Sequence, residues 1–338
     1  MFFQRIKLRY GVQVAIAMAA SILLAKYFNV TNPIAAGVVT LATIQTTRKE
    51  TLIVAFRRFI AFIGMLILTS IIFNLLGFNV YSYAVFMLIF ISLNSYFDTT
   101  EVIVSNAVMA TSFLVAGNTN FPTIKNEFIV FFVGVGIGIL VNILAPVWSR
   151  NFTEEKDKLD NSFKELFDIL YLRFKGIYDK DKELAYAEDE KKFKAINKFI
   201  DESIDELMEH NGNMLLSEEH YYTDYFFMRK RQIAILQKVW HDSKILNTSF
   251  EESHMVAEFI KDIYTQYHET NTNERLLAKS SELLEYYRKQ ELPKTRQEFE
   301  TRAKLFHMLN EIIDLLMIKY DFVKGLSEET RNKYWMGG

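Results

Sequence analysis

The chain has 338 residues, with 39 Lys and Arg against 41 Asp and Glu, a formal charge of −2, and half of its residues are hydrophobic. It contains no cysteine, which excludes disulfides, thiolate metal sites and cysteine nucleophiles. The averages conceal two unlike parts. Residues 1–148 are strongly apolar and hold nine basic and four acidic residues, whereas residues 149–338 hold thirty and thirty-seven.

The apolar part predicts six membrane-spanning helices, because its apolar runs have lengths suited to a bilayer. The predicted spans are about 10–28, 32–47, 55–76, 80–97, 102–117 and 128–147. The expected fold class is therefore all-α, with a six-helix transmembrane bundle in residues 1–148 and a helical cytoplasmic domain in residues 149–338. Transport or channel activity is the first expectation for such a bundle.

The first span follows a short basic segment. A secretory signal has a similar pattern, but residues 20–32 offer no convincing cleavage site, so a retained helix is the preferred interpretation. Positive charges favour the cytoplasmic side, and they predict a cytoplasmic amino terminus. Six spans then return the chain to the cytoplasm, which makes it a multi-pass protein of the cell membrane. The predicted cytoplasmic residues are Arg5, Lys7, Arg9, Arg48, Lys49, Arg57, Arg58 and Arg150, against Lys26 and Lys125 outside.

Span 2 opens with Asn32 and Pro33, an N-cap residue followed by proline in the first turn. It is short for a bilayer and rich in small and hydroxylated residues. This composition favours a place in the protein interior or beside a water-filled cavity. Gln45, at its end, is a candidate substrate-binding residue.

Span 3 is long, branched and aromatic, which is typical of a helix that faces lipid. Its first turn nevertheless carries Arg57 and Arg58. One interpretation is that both arginines anchor the helix at the lipid headgroups. The other is a functional role.

An acidic pair, Asp98 and Glu101, occupies the predicted turn between spans 4 and 5, on the face where basic residues are favoured. Such a pair is a candidate proton-accepting site at the mouth of a pathway. Alternatively, Asp98 or Thr99 caps span 5 in a hydrated turn. Asn94, just before the turn, is a further candidate substrate-binding residue.

Span 6 contains Gly134, Gly136 and Gly138. A nucleotide-binding loop is not expected, because no strand precedes these glycines and the flanking residues are apolar. Gly134 and Gly138 instead form a small-xxx-small pair that lets another helix approach closely, within the chain or across an oligomer interface. The expected assembly is a homodimer whose contact uses this face.

Residues 149–338 have apolar positions at steps of three and four, which predicts an antiparallel bundle of about five or six helices with its own core. The histidines lack metal-ligand spacing, and no catalytic motif is present, so neither an enzyme, a metal site nor a cofactor is expected. Basic stretches such as 229–231 are too short for nucleic acid and could instead meet anionic lipid.

The Asn32-Pro33 opening of span 2, the basic link after it and the segment 57–64 (RRFIAFIG) resemble the aromatic acid exporter family, relatives of the fusaric-acid-resistance proteins. The carboxy-terminal part resembles the helical domain that accompanies one bacterial branch of that family. The resemblance implies export of aromatic carboxylic acids or related organic anions, driven by the proton gradient. Relatives often carry two such membrane halves, which implies a homodimer for a chain with one.

A carboxylate leaving the cytoplasm needs cations at the inner mouth. Asp98 and Glu101 would then couple protons. A passive organic-anion channel, as in the related plant malate channels, and a membrane-anchored sensor or scaffold without transport are the alternatives. The candidate cations for substrate binding are Arg48, Lys49, Arg57 and Arg58.

Overall fold

The computed structural model describes residues 2–145, 151–177, 182–214, 220–245 and 251–335, and all regular structure within these ranges is helical. The all-α expectation is confirmed. Two compact units are present. The apolar unit comprises residues 1–148 and 209–218, and the charged unit comprises residues 149–208 and 219–338. Arg150 and the predicted domain boundary after Trp148 lie outside the described residues.

The apolar unit contains six helices and a single 3-10 turn, Thr100–Val102, within the described ranges. Two of the helices, α3 and α6, are long and apolar enough to cross a bilayer, and the other apolar segments are shorter. The helices are α1 (Phe2–Tyr27), α2 (Pro33–Thr43), α3 (Arg48–Leu76), α4 (Val80–Tyr96), α5 (Ile103–Ala116) and α6 (Phe121–Leu144).

Helices α3 and α6, like α1, begin earlier than their predicted spans. Helix α3 begins at Arg48, where the Thr47 hydroxyl accepts a hydrogen bond from the Glu50 amide at 3.3 Å. Helix α6 begins at Phe121 with a proline in its first turn. Capping residues and proline stabilise a polar first turn that hydropathy does not detect. The segments 48–54 and 121–127 are therefore helical.

Helix α2 lies in the interior of the apolar unit. It buries Ala36, Val39, Thr40 and Thr43, and it packs mainly against α6 and α1. It ends at Thr43, four residues before the predicted end, because Ile44 adopts an extended backbone conformation. The expectation that this short helix occupies the protein interior is confirmed.

Helix α3 has two different faces. On one face Phe62 stacks on Phe131 of α6, with ring centroids 4.4 Å apart. The opposite face exposes large apolar side chains, among them Phe56, Ile67 and Leu75. Exposed apolar surface of this extent is typical of contact with lipid or with another protein. Only one face of α3 therefore has the expected lipid-facing character.

The charged unit contains seven helices within the described ranges and has its own hydrophobic core. The last turn of α8, from Glu209, is grouped with the apolar unit. The helices are α7 (Phe152–Phe174), α8 (Lys182–Asn213), α9 (Tyr221–Asp242), α10 (Glu251–Thr265), α11 (Glu274–Lys289), α12 (Arg296–Gly325) and α13 (Glu328–Trp335).

A polar network is buried in the charged unit. Arg229 is fully buried and donates to Asp160 Oδ1 at 2.8 Å and to Gln232 Oε1 at 2.7 Å. Burial, and next the charge of Arg229, lower the pKa of Lys319 to about 7. The first arginine of the stretch 229–231 therefore stabilises the interior of this unit and does not contribute to a basic surface.

Candidate functional site

Arg57 and Arg58 lie in the third turn of α3, because the helix begins at Arg48 and not at the predicted position 55. Adjacent residues on a helix point in directions about 100° apart. The two arginines therefore have different environments, although they are neighbours in the sequence.

Arg58 is buried, with 2% of its surface exposed. One terminal nitrogen, Nη2, donates to the carbonyl oxygens of Ala42 and Glu101, each at 2.8 Å, and the other donates to the hydroxyl of Ser105. The guanidinium thus links α3 to the end of α2 and to the start of α5. This burial does not fit the interpretation of Arg58 as an anchor at the lipid headgroups.

Arg57 has a more open environment. Its side chain is 48% exposed, and Nη1 lies 3.2 Å from Oε1 of Glu101, whose side chain is 31% exposed. Ion pairs at this degree of exposure contribute about 0–1 kcal/mol. An incoming carboxylate could therefore replace Glu101 on Arg57 at small cost.

A groove of about 330 Å³ lies between α3 and α4, and Arg57 is one of the residues that line it. The residues from α3 recur at helical spacing, so one continuous stripe of that helix faces the groove. A side chain added at Gly64 would meet no atom within 4 Å, which leaves the groove open at this position. The lining residues are Arg57, Ile60, Ala61, Gly64, Leu68, Phe90, Leu93, Asn94, Phe97 and Thr99.

Asn94 and Thr99 line this groove, and their polar groups are hydrogen-bonded within the protein. The amide nitrogen of Asn94 donates to the Phe90 carbonyl at 2.8 Å, and its oxygen accepts from the Thr99 hydroxyl at 3.0 Å. Thr99 makes no side-chain capping bond to the 3-10 turn, and α5 has no side-chain cap either. The capping interpretation of the acidic turn is therefore wrong. Asp98 is exposed and has a left-handed backbone, with φ of 51°.

The other predicted substrate-binding residues lie around the link between α2 and α3. The Gln45 amide donates to the Ala42 carbonyl at 3.2 Å, and the Arg48 guanidinium donates to the Ala145 carbonyl at 3.0 Å. Lys49 is exposed. None of these three lines the groove, whereas Arg57 and Asn94 share it.

The glycine pair of α6 packs within the chain. A Cβ on Gly134 would lie 2.6 Å from Cβ of Val39, and one on Gly138 would lie 2.9 Å from Cβ of Thr43. Both contacts are with α2. The expectation of a dimer contact through this face is wrong, because α2 already occupies it.

Sequence reasoning missed two features of the apolar unit. One is the groove face of α3, which the spacing of Arg57, Ala61, Gly64 and Leu68 could have indicated. The other is Glu127, which the predicted start of span 6 at residue 128 excluded from the helix. The Phe121-Pro122 pair after a polar residue is a helix-start signal that would have included it.

Comparison with known proteins covers both parts of the chain. Residues 6–145 match the profile described as "Aromatic acid exporter family member 1", and residues 149–320 match "Putative aromatic acid exporter C-terminal domain". A Bacillus subtilis (strain 168) relative, "Uncharacterized protein YqjA", is 26% identical over 94% of this chain and 96% of its own length. A solved structure, "Crystal structure of putative membrane protein from Clostridium difficile 630", is similar with a TM-score of 0.45 and 25% identity, over 51% of this chain and 97% of that one.

The two family-profile matches confirm the resemblance first noted in the segment 57–64. They extend over almost the whole chain, including the segment that carries the groove. The protein belongs to the aromatic acid exporter family and is a membrane transporter.

Proposed function

We propose that this protein exports aromatic carboxylic acids or related organic anions from the cytoplasm, driven by the proton gradient. The observation that carries the proposal is the groove between α3 and α4, which combines apolar walls with one half-exposed guanidinium. An aromatic carboxylate has the same two parts, a flat apolar ring and an anionic group.

The walls of the groove suit a ring. The exposed ring of Phe97 offers aromatic surface, and the absence of a side chain at Gly64 provides space between the helices. Aromatic rings in contact gain about 0.5–1.5 kcal/mol beyond the effect of burial. Aliphatic acids would forgo this gain, so we expect a preference for aromatic substrates.

The charged end of the groove suits a carboxylate. Arg57 presents planar donors that can bind two carboxylate oxygens at once. In the structure Glu101 forms an ion pair with that guanidinium. Because the gradient drives protons inward, export must exchange the outgoing anion for an incoming proton. The acidic pair Asp98 and Glu101 is proposed to accept that incoming proton and to release it to the cytoplasm.

The proposed topology has six spans with both termini in the cytoplasm, and the basic amino-terminal end of α3 supports it. The proposed assembly is a homodimer in the membrane lipid, formed through a face other than that of Gly134 and Gly138. The exposed apolar face of α3 has the character that such a contact or the lipid requires.

Transport is tested in inside-out vesicles with an acidic lumen and radiolabelled para-hydroxybenzoate outside. A weak acid that only diffuses is depleted from an acidic lumen, so accumulation there requires coupled transport. We expect the wild-type protein to accumulate the acid. Entry of the acid without accumulation, at a rate independent of the proton gradient, would favour the passive channel. No movement of any aromatic acid would favour the sensor or scaffold.

Two substitutions test the groove in the same assay. Arg57→Gln should raise the half-saturating concentration of the acid about tenfold or more, since a hydrogen bond to a charged group contributes about 1.5–3 kcal/mol.

Gly64→Leu should block the groove without disturbing the backbone, because a Cβ atom added at this position meets no other atom within 4 Å. Gly136→Leu is the matched control, since Gly136 is exposed and equally open. Wild-type affinity in Gly64→Leu would exclude the groove as the binding site.

The topology is tested with single cysteines, because the chain has none of its own. Asn120 and Asn161 are both exposed, the first just before α6 and the second in α7. In intact cells an impermeant thiol reagent should label Asn120→Cys and leave Asn161→Cys unlabelled until the cells are lysed. Labelling of Asn161→Cys in intact cells would contradict a cytoplasmic charged unit.

A further inference from the structure

Glu127 is a buried carboxyl group in the apolar part of α6. It is the seventh residue of the helix, about 9 Å along the axis from Phe121. Only 1% of its surface is exposed, and its Oε2 atom has no hydrogen-bond partner among the described residues. Burying an ionisable group in an apolar environment costs free energy, and such a group therefore indicates a function.

No charged side chain compensates Glu127. Helices α1, α2, α3 and α5 pack against α6. Helices α2 and α5 carry no charge, and α3 carries charges only between Arg48 and Arg58. Helix α6 itself carries the exposed Lys125, and α1 carries Arg5, Lys7, Arg9 and Lys26. Oε2 of Glu127 contacts none of these cations whose side chains are described.

The polar group that faces Glu127 is the hydroxyl of Ser112 on α5. Ser112 Oγ is buried and has no hydrogen-bond partner within the described part of the chain, and the same holds for Oδ1 of Asn106. Ser105, on the same helix, accepts the hydrogen bond from Arg58. Helix α5 thus carries three buried polar side chains, Ser105, Asn106 and Ser112.

We infer that Glu127 is the residue that carries the coupling proton through the interior of the apolar unit, with the Ser112 hydroxyl as its polar neighbour on α5. This inference rests on the proposed export function. A carboxyl group can be buried without a partner when it holds a proton, and it releases that proton when water or a cation reaches it. The unpartnered Oε2 atom of Glu127 is the acceptor that such a transfer needs.

The test separates coupled transport from exchange. In counterflow, labelled acid exchanges with unlabelled acid at equal pH, and no net proton movement is needed. We expect Glu127→Gln to keep wild-type counterflow and to lose all accumulation driven by the proton gradient. Lys125→Gln, which changes an exposed residue two positions away, should retain both. The Glu127→Gln protein counts as folded if it elutes as a single species and has the thermal stability of the wild type.

The outcomes distinguish the two proposals. Gradient-driven accumulation that persists in Glu127→Gln overturns the role of Glu127 and leaves the export function intact. A wild-type protein that moves no aromatic acid overturns both. If Glu127→Gln is not recovered folded, Glu127→Asp serves instead: coupling should persist because the carboxyl group is retained, and a folded but uncoupled Glu127→Asp would contradict the inference.

Discussion

Replacing Gly134 with leucine is expected to prevent the apolar unit from packing. Even the Cβ atom would lie 2.6 Å from Cβ of Val39 and 2.8 Å from the backbone oxygen of Ala36. The Thr40 hydroxyl also donates to the Gly134 carbonyl at 3.0 Å, so a displaced α6 would lose this bond. Overpacking costs about 1–3 kcal/mol, and more where backbone must move. We expect about 3 kcal/mol or more, seen as a large fall in the melting temperature of the detergent-purified protein.

Gly136→Leu is the control for that experiment. Gly136 lies in the same helix, is exposed, and has no atom within 4 Å of an added Cβ. Its melting temperature should stay close to that of the wild type. Equal losses at positions 134 and 136 would mean that the close approach of α2 and α6 does not decide the stability of the bundle.

The second large effect is expected at Arg58. Lysine keeps the charge, but one ammonium cannot donate in the directions of Ala42, Glu101 and Ser105 together. Each buried acceptor left without a donor costs about 1–3 kcal/mol. Arg58→Lys should therefore destabilise the protein by about 2–4 kcal/mol. Thermal unfolding in detergent is the measurement.

Arg57→Lys is the matched comparison for Arg58→Lys. Its side chain is about half exposed, and the pair with Glu101 contributes little to folding. We expect a change within about 0.5 kcal/mol for this surface substitution. A similar loss at both arginines would contradict the assignment of Arg58 as the buried link between helices and of Arg57 as the ligand-facing cation.

The helical character of the chain and its two-part composition could be derived from residue patterns, because apolar runs and periodicity are local properties. The interior position of α2 followed in the same way from its small residues and its length. The first residues of the helices were harder to predict from the sequence. The first turn of α3 and the second turn of α6 are polar. The cap at Thr47 and the proline at the start of α6 carry little weight in a search for apolar runs.

The residues of the candidate site were much harder to predict from the sequence than the helices, because the site is defined by tertiary structure. Neighbouring arginines look equivalent in the sequence, and only the packing of α2 and α5 around α3 makes Arg58 a buried link while Arg57 stays at the groove. In the same way, the glycine pair predicted close helix packing, but its partner α2 could not be read from the pattern.

By itself the sequence determined the helical class, the division in composition near residue 148, the family and the small-residue face of α6, since each depends on the identity and spacing of residues along one segment. The tertiary structure alone decided which charged groups are buried. Glu127, Arg58 and Arg57 have the same local signal of a charge beside apolar residues. Their exposures of 1%, 2% and, for the side chain of Arg57, 48% follow from which helix covers them. Burial is a sum over contacts between distant segments, and no single segment contains it.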